Sequence, residues 1–244
     1  PDYDRYGIVV SSGLISANTF LTLAARYLFT TRGWKNKGVG KTVVCTTMID
    51  KWAASAEVPV FEVPVGFKYF SQLLFDGTIG IGGEESAGAS FLKKDGRVWT
   101  TDKDGMIMAL LGMEIMAVMG KSALKMAGEV VEEFGNPKFG RIDAPCKKEQ
   151  KQILKQMSAE LITATTVDGD PITNIRTTSL YNDMPIDGVR VETDKGWFVA
   201  RPSGTEDLYK IYGESYKGDL GLVALLTAGE EIVNAALNGT IETE

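Results

Sequence analysis

The residue types that do chemistry gather in short stretches of the chain. Near the start, Asp2-Tyr3-Asp4-Arg5 sets two carboxylates one residue apart. On an extended or looped backbone both can turn toward one hard cation, and Mg²⁺ prefers such oxygen ligands together with phosphate. A solvated acidic turn would have the same spacing. In Gly80-Ile81-Gly82-Gly83-Glu84-Glu85-Ser86-Ala87-Gly88, glycines follow immediately on a strand pattern. Glycine lets a ligand come close to the backbone, while Glu84 and Ser86 offer an acceptor and a donor suited to sugar hydroxyls. A plain glycine-rich turn is the alternative. Glu85 occupies the final glycine position of G-x-G-x-x-G, which argues against a dinucleotide. Lastly, Arg201-Pro202-Ser203-Gly204-Thr205-Glu206 lies between two strand patterns. A guanidinium can hold a phosphate with two parallel bonds, Ser203 and Thr205 add donors, and Gly204 frees backbone N–H groups to face the same anion. Lys210 follows closely and can add positive charge.

Two other stretches imitate functional loops. Gly38-Val39-Gly40-Lys41-Thr42 resembles the end of a phosphate loop, but the first glycine of that motif would fall at Lys35, and the stretch precedes a strand instead of following one. Asp168-Gly169-Asp170-Pro171 has the look of a metal loop and the composition of a turn, and it is assigned as a turn.

Composition narrows the chemistry further. The chain has 244 residues and no histidine, which excludes from it a histidine triad, a His-ligated zinc or haem, and the commonest general base. Carboxylates, Lys, Arg, hydroxyls or a hard metal ion must do the work. With 44% hydrophobic and 24% charged residues, disorder and disulfide-scaffold classes are out. Cys45 and Cys146 are too few for a secreted framework, and Cys45 sits in the apolar run TVVC, so a reduced, cytoplasmic setting is expected. A net charge of −6 argues against nucleic acid as a partner and leaves room for a local cationic pocket. The apolar run Met106–Met119 contains Glu114 and falls short of the roughly 20 residues that span a bilayer. It is expected to be a buried, Met-rich helix, and no membrane partner is expected.

The elements that must position these residues follow from periodicity. Up to Phe134, β-branched runs alternate with helical patterns: strand Gly7–Val10, helix Ala17–Phe29, strand Lys41–Thr47, helix Met48–Glu57, strand Val60–Val65, helix Lys68–Phe75 and strand Thr78–Ile81. Such alternation predicts βαβ units. Lys94-Asp95-Gly96-Arg97 suits a hairpin turn between Phe91-Leu92 and Val98-Trp99. Helices Lys103–Met119 and Ser122–Phe134 close this unit. Gly135–Pro145 has the composition of a boundary, and a domain junction is placed there. A charged helix at Lys147–Met157, strands at Ile172–Leu180, Val189–Thr193, Gly196–Ala200 and Leu208–Glu214, and a last helix at Leu220–Leu237 predict a small α+β domain with an antiparallel sheet.

Taken in order, PDYDRYGIV, VPVGFKYF, GGEESAGASF, TTDKDG and RPSGTEDLYKIYGES resemble the α-D-phosphohexomutase family over essentially the whole chain, and within it the bacterial phosphoglucomutases. The resemblance implies a mixed α/β fold: residues 1–15 would end a preceding domain and carry the metal loop. Residues 16–138 would form a sugar-binding α/β domain, and residues 139–244 a C-terminal phosphate-binding α+β domain. The N-terminal half of the enzyme, with its phosphoserine, would be missing and would be this chain's partner. The implied reaction interconverts glucose 1-phosphate and glucose 6-phosphate through a bound glucose 1,6-bisphosphate, with Mg²⁺ held by a D-x-D-x-D-R loop. Asp2 and Asp4 match two of its aspartates, and the first would lie one residue before Pro1. The resemblance implies further that Asp4 and Arg5 meet the reacting phosphate and that Val65, Gly66, Glu84 and Ser86 hold the sugar. Val65 stands where other members have Thr. Lys103 would assist proton transfer or neutralise charge, helped by burial. Arg201, Ser203, Gly204 and Thr205 would clamp the distal phosphate. Mutases for mannose or N-acetylglucosamine phosphates, and a non-catalytic phosphosugar-binding protein, are the alternatives. A fragment without the serine would be inactive alone.

Overall fold

A computed structural model describes residues 2–34 and 36–238. Pro1, Lys35 and the expected domain end at Glu244 lie outside the described residues. The chain divides into two units: Pro1–Asn136 with Leu180–Asn182, and Pro137–Ser179 with Asp183–Glu244. The segment before the first long helix clusters with the first unit.

The first unit opens on a two-stranded antiparallel hairpin, β1 (Ile8–Val10) and β2 (Gly13–Ile15). The run expected to begin a βαβ unit thus pairs locally instead. Helix α1 (Ala17–Arg32) starts at Ser16, whose Oγ accepts from the Thr19 N–H, and stops at Gly33 in the left-handed conformation. Then come β3 (Gly38–Thr42), α2 (Met48–Ser55), β4 (Val60–Val63), a 3-10 turn at Phe67–Tyr69, α3 (Ser71–Phe75), β5 (Ile79–Gly83), β6 (Ala89–Phe91), α4 (Gly105–Met119) and α5 (Ala123–Phe134). The sheet runs β4-β3-β5-β6, with the first three strands parallel and β6 antiparallel. Phe20, Leu21 and Leu28 of α1 and Val39, Ile79 and Ile81 of the sheet are among its fully buried core residues.

Tertiary packing moves several expected elements. Lys41–Thr47 was expected as a strand; the strand ends at Thr42, and Val43, Val44 and Cys45 are apolar because they fill a buried turn in which the Cys45 N–H reaches Thr42 O. The strand expected to end at Ile81 runs on through Gly82 and Gly83, so these two glycines, read as a loop, lie inside β5 with Gly80. A Cβ at Gly80 would come within 2.3 Å of the Trp34 ring, and one at Gly83 within 2.5 Å of Leu21 Cδ1, so bulky side chains rest directly on this strand. The Lys94–Arg97 turn forms, with the Lys93 N–H donating to Arg97 O, but Val98-Trp99 joins no strand; β6 pairs with β5 instead. Helix α4 is buried on one face only, through Met108, Leu111, Gly112 and Ile115; Met106, Leu110 and Met113 are exposed.

The second unit is a six-stranded antiparallel sheet in the order β7-β12-β11-β10-β9-β8. Its elements are β7 (Lys138–Pro145), α6 (Lys148–Lys155), β8 (Thr166–Val167), β9 (Asp170–Thr178), β10 (Pro185–Thr193), β11 (Gly196–Pro202), β12 (Leu208–Ser215) and α7 (Gly218–Leu237). Most of the expected linker Gly135–Pro145 is therefore strand β7. It reads as polar because an edge strand alternates half-buried and exposed positions. Helix α7 is long and apolar enough to cross a membrane, and here it packs on the sheet through Gly221, Leu225, Gly229 and Val233.

Candidate active site

In open α/β sheets ligands sit outside the carboxyl ends of parallel strands. Three of the stretches singled out in the sequence converge there in the first unit. Strand β3 ends at Thr42, β4 leads to Val65 and Gly66, and β5 leads into Glu84. The Glu84–Gly88 loop closes tightly: the Glu84 N–H donates to Gly88 O at 2.8 Å, the Ala87 N–H to Glu84 O at 3.2 Å, and Ala87 takes φ +68°.

The Asp4-Arg5-Tyr6 segment lies against this loop. Arg5 and Gly88 form an antiparallel bridge, the Tyr6 N–H donates to Ala87 O, and Arg5 Nη1 donates to Ser86 O at 2.8 Å. On the other side the Gly105 N–H reaches Tyr3 O and the Asp104 N–H reaches Ala89 O, which fixes the start of α4. Lys103 is thereby carried into the site. Its Nζ lies 3.4 Å from Asp4 Oδ2, 3.3 Å from Asp102 Oδ1 and 5.6 Å from the centre of the Phe67 ring. Asp4, Arg5, Glu84, Ser86 and Lys103 are thus brought together, and Gly66 borders them through Phe67. Val65 is half-buried and offers only backbone polar atoms.

The electrostatics follow from this geometry. Burial pushes the Glu84 carboxyl up, and the cations of Lys103 and Arg5 only partly oppose it. Burial is also the largest single influence on Lys103 and pulls its ammonium down, but the carboxylates of Asp102, Asp4 and Glu84 outweigh it, leaving the group above the ordinary lysine value. Burial therefore does not prepare Lys103 as a neutral base. It stands as a held cation. Asp102 and Phe67, which shape that environment, were not among the residues expected from sequence, although both adjoin expected ones.

Asp2 is exposed beside Tyr3, whose φ of +53° turns the chain between the two aspartates. Their oxygen donors suit a hard cation, but the number falls short. Among the described residues no three or more acidic, His or Cys side chains are arranged to hold a metal ion, and Asp4 is already engaged by Lys103. The imitators resolve structurally. Lys41, in β3, is buried and pairs with Asp50, and the Asp168–Asp170 turn encloses Lys217, at 2.8 and 3.2 Å from the two carboxylates. Cys45 is buried, and burial pushes its thiol up to about 12, so it stays protonated.

The second unit holds a separate cluster at the end of β11. Arg201 is 9% exposed, its Nε is buried without a partner, and no side-chain hydrogen bond or ion pair satisfies it among the described residues. β10 passes close because Gly188 has no side chain: a Cβ there would lie 2.2 Å from Ala200 O and 2.8 Å from Arg201 Cβ. The turn that follows is tied by the Ser203 N–H to Leu208 O at 2.8 Å and by the Glu206 N–H to Ser203 Oγ at 3.2 Å. Gly204 and Thr205 are exposed, and a Cβ at Gly204 would meet only open space. Lys210 stands directly across from Arg201 in β12 but is held by Glu206 at 2.7 Å. A buried guanidinium without a counter-charge is costly, and an anion placed over the open side of Gly204 would relieve it.

Residues 16–134 match the family description "Phosphoglucomutase/phosphomannomutase, alpha/beta/alpha domain III", and residues 142–221 match "Phosphoglucomutase/phosphomannomutase, C-terminal domain". The chain is 46% identical over 237 residues to a phosphoglucomutase of Komagataeibacter xylinus, covering 96% of this chain and 43% of that protein. The open form of the Paramecium phosphoglucomutase pp63/parafusin is similar with a TM-score of 0.71 at 22% identity, over 98% of this chain and 45% of that one. An N-acetylphosphoglucosamine mutase from Aspergillus fumigatus, solved in complex with GlcNAc-6P and magnesium, is similar with a TM-score of 0.57 at 15% identity, over 99% of this chain and 51% of that one. At these identities the two structures share the fold. The chain spans about half the length of the curated relatives it matches.

Proposed function

The chain belongs to the phosphoglucomutase/phosphomannomutase family, and on that premise we propose that it supplies the sugar-holding and distal-phosphate-holding parts of an isomerase interconverting α-D-glucose 1-phosphate and glucose 6-phosphate. The observation that carries this reading is the buried, unpartnered guanidinium of Arg201 at the head of an open glycine turn. Glucose is favoured over mannose or N-acetylglucosamine by the 46% identity to a phosphoglucomutase.

In this reading Arg201 binds the phosphate that is not reacting, with Ser203, Gly204 and Thr205 adding hydroxyl and backbone donors. Glu84 accepts from sugar hydroxyls, Ser86 contributes a hydroxyl, and Val65 and Gly66 meet the ring with backbone atoms. Lys103, a cation paired with Asp4 and Asp102, neutralises charge building on the reacting oxygen and delivers a proton to it, while Arg5 stands beside the same phosphate. Because Arg201 recognises only a phosphate, it holds either end of glucose 1,6-bisphosphate. The same guanidinium then serves both regioisomers once the intermediate turns over. The phosphoserine that exchanges the phosphoryl group, and the rest of the metal's ligands, come from outside this sequence. Asp2 and Asp4 would give Mg²⁺ two oxygen ligands, and the bound ion would offset charge on the transferring phosphoryl group. The two buried free cysteines favour a cytoplasmic setting.

The test is a coupled assay on the full-length protein. Glucose 1-phosphate should give glucose 6-phosphate in the presence of catalytic glucose 1,6-bisphosphate, faster than the mannose and N-acetylglucosamine phosphates react. Absence of turnover with every hexose phosphate would overturn the reading, and faster turnover of another sugar would reassign the substrate.

A further inference from the structure

Lys103 reaches its place only because one neighbouring residue has no side chain. A Cβ built at Gly88 would lie 2.4 Å from Lys103 Cδ, 3.1 Å from Lys103 Cγ and 2.9 Å from Glu84 Oε2. The aliphatic stem of Lys103 therefore lies across the bare backbone of Gly88, in the space a methyl group would fill. Two hydrogen-bonding functions fix that backbone. Gly88 O receives the Glu84 N–H, and Gly88 bridges to Arg5, whose neighbour Asp4 receives the Lys103 ammonium. The glycine is thus held at the crossing of the three strands of chain that build the site.

The need at this position is spatial and not conformational. Gly88 does not take a positive φ, so its backbone is one that any L-residue adopts. An added methyl group would bring no backbone strain. It would meet the middle of a flexible side chain and the tip of another. Moving the Lys103 stem costs little, whereas moving the backbone would break the bridge to Arg5 and the bond to Glu84. Lys103 is the part that gives way.

We propose that Gly88 is a positioning residue, whose missing side chain forms the channel through which Lys103 reaches Asp4 and faces Glu84. It never touches the sugar phosphate itself. This rests on the mutase reading for its consequence in turnover, but its structural content stands apart from it. The expected chemistry of Gly88→Ala is that of Lys103 lost, with the fold kept: the ammonium swings toward solvent, Asp4 loses its partner, and Glu84 loses a neighbouring cation.

The experiment is a double-mutant cycle in the full-length protein with Gly88→Ala, Lys103→Ala and the double variant. Three readouts are taken: kcat and KM for the hexose phosphate, the urea unfolding midpoint, and acetylation of Lys103 by an amine-selective reagent, quantified by peptide mass. Gly88→Ala should lower kcat at least tenfold with KM changed less than threefold. It should also raise acetylation of Lys103, whose side chain is only 19% exposed in the wild type, severalfold. In the Lys103→Ala background, where the Lys103 stem is gone and only the tip of Glu84 remains near residue 88, adding Gly88→Ala should change kcat and the midpoint far less than it does in the wild type. Equal losses from Gly88→Ala in both backgrounds would overturn the proposal, because a merely structural glycine acts whether or not Lys103 is present. Unchanged acetylation would overturn it as well. If the wild type turns over no hexose phosphate, the mutase reading fails, while the acetylation and midpoint arms still decide the role of Gly88.

Discussion

Lys103 Nζ lies 3.4 Å from Asp4 Oδ2, joining residues 99 positions apart in the chain. The contact is not incidental to one flexible side chain. Backbone bonds on both flanks hold it, from Arg5 and Tyr6 to the Glu84–Gly88 loop and from Gly105 back to Tyr3. The ammonium sits among Asp4, Asp102 and Glu84, which raise its affinity for a proton above the pull of burial. At neutral pH it is a fixed positive charge beside the group proposed to hold the metal.

Removing that charge should therefore strike the chemical step. Lys103→Met in the full-length protein is expected to lower kcat by roughly 10²- to 10⁴-fold, the usual range for a proton-transfer group, with a much smaller change in KM. Lys103→Arg keeps the charge and should recover part of the loss. Steady-state kinetics with glucose 1-phosphate checks this. A rise in KM at constant kcat would show that Lys103 only binds substrate.

Arg201 should behave in opposite directions in binding and in stability. Its guanidinium is buried with no counter-charge, so Arg201→Met replaces a desolvated ion by an apolar side chain of similar length. The unliganded variant is expected to melt no lower than wild type. Its kcat/KM should fall by about 2–3 kcal/mol, or roughly 30- to 150-fold, the worth of hydrogen bonds to a charged group. The rise in melting temperature that millimolar glucose 6-phosphate gives wild type should vanish. Scanning fluorimetry with and without the sugar phosphate reads both effects, and a variant that keeps its ligand-induced shift would remove Arg201 from the clamp.

How much of this was legible in the sequence depends on whether the deciding neighbour was local. The Glu84–Ser86 and Arg201–Thr205 motifs stand out because their residues are neighbours in the chain, whereas helix α1 was expected to stop at Phe29 and runs on to Arg32 before Gly33 ends it. Gly82 and Gly83 could not be placed in a strand, because they read as a loop until Phe70 and Leu21 are seen resting on them. β7 was hidden because an edge strand carries the polar alternation of a linker. The Lys103 environment escaped in a third way. Burial was foreseen, but its effect depends on Asp102, Asp4 and Glu84 converging from three parts of the chain.

Two glycines of the first unit make opposite predictions. Gly80→Ala drives a methyl group to 2.3 Å from the rigid Trp34 ring, so about 1–3 kcal/mol of stability should be lost, as in other overpacked cores. Gly128 lies exposed in α5 with nothing within 4 Å of its built Cβ. There alanine should add roughly 0.5–1 kcal/mol through helix propensity and a less mobile unfolded chain. Urea unfolding of the two variants separates them, and equal shifts would contradict the packing described for β5.

The second unit carries a test by pH. Glu192 accepts from Arg190 Nε at 2.5 Å, Asn174 Nδ2 at 3.0 Å and Arg176 Nη2 at 3.3 Å, beneath the Trp197 ring that Arg190 faces at 4.2 Å. Burial raises its carboxyl, but the two arginines overcome that and hold it below the ordinary glutamate value. A depressed carboxyl stabilises the fold above its unfolded pKa, near 4.5, and loses that contribution as pH falls through the lower folded value. Glu192→Gln should thus cost about 1–3 kcal/mol at pH 7, where the arginines lose a charged partner. The gap from wild type should close as the pH drops below about 4.5. Urea midpoints measured from pH 7 down to pH 3 give the result. A gap that stays constant across that range would mean Glu192 contributes through shape or neutral hydrogen bonds, not through its charge.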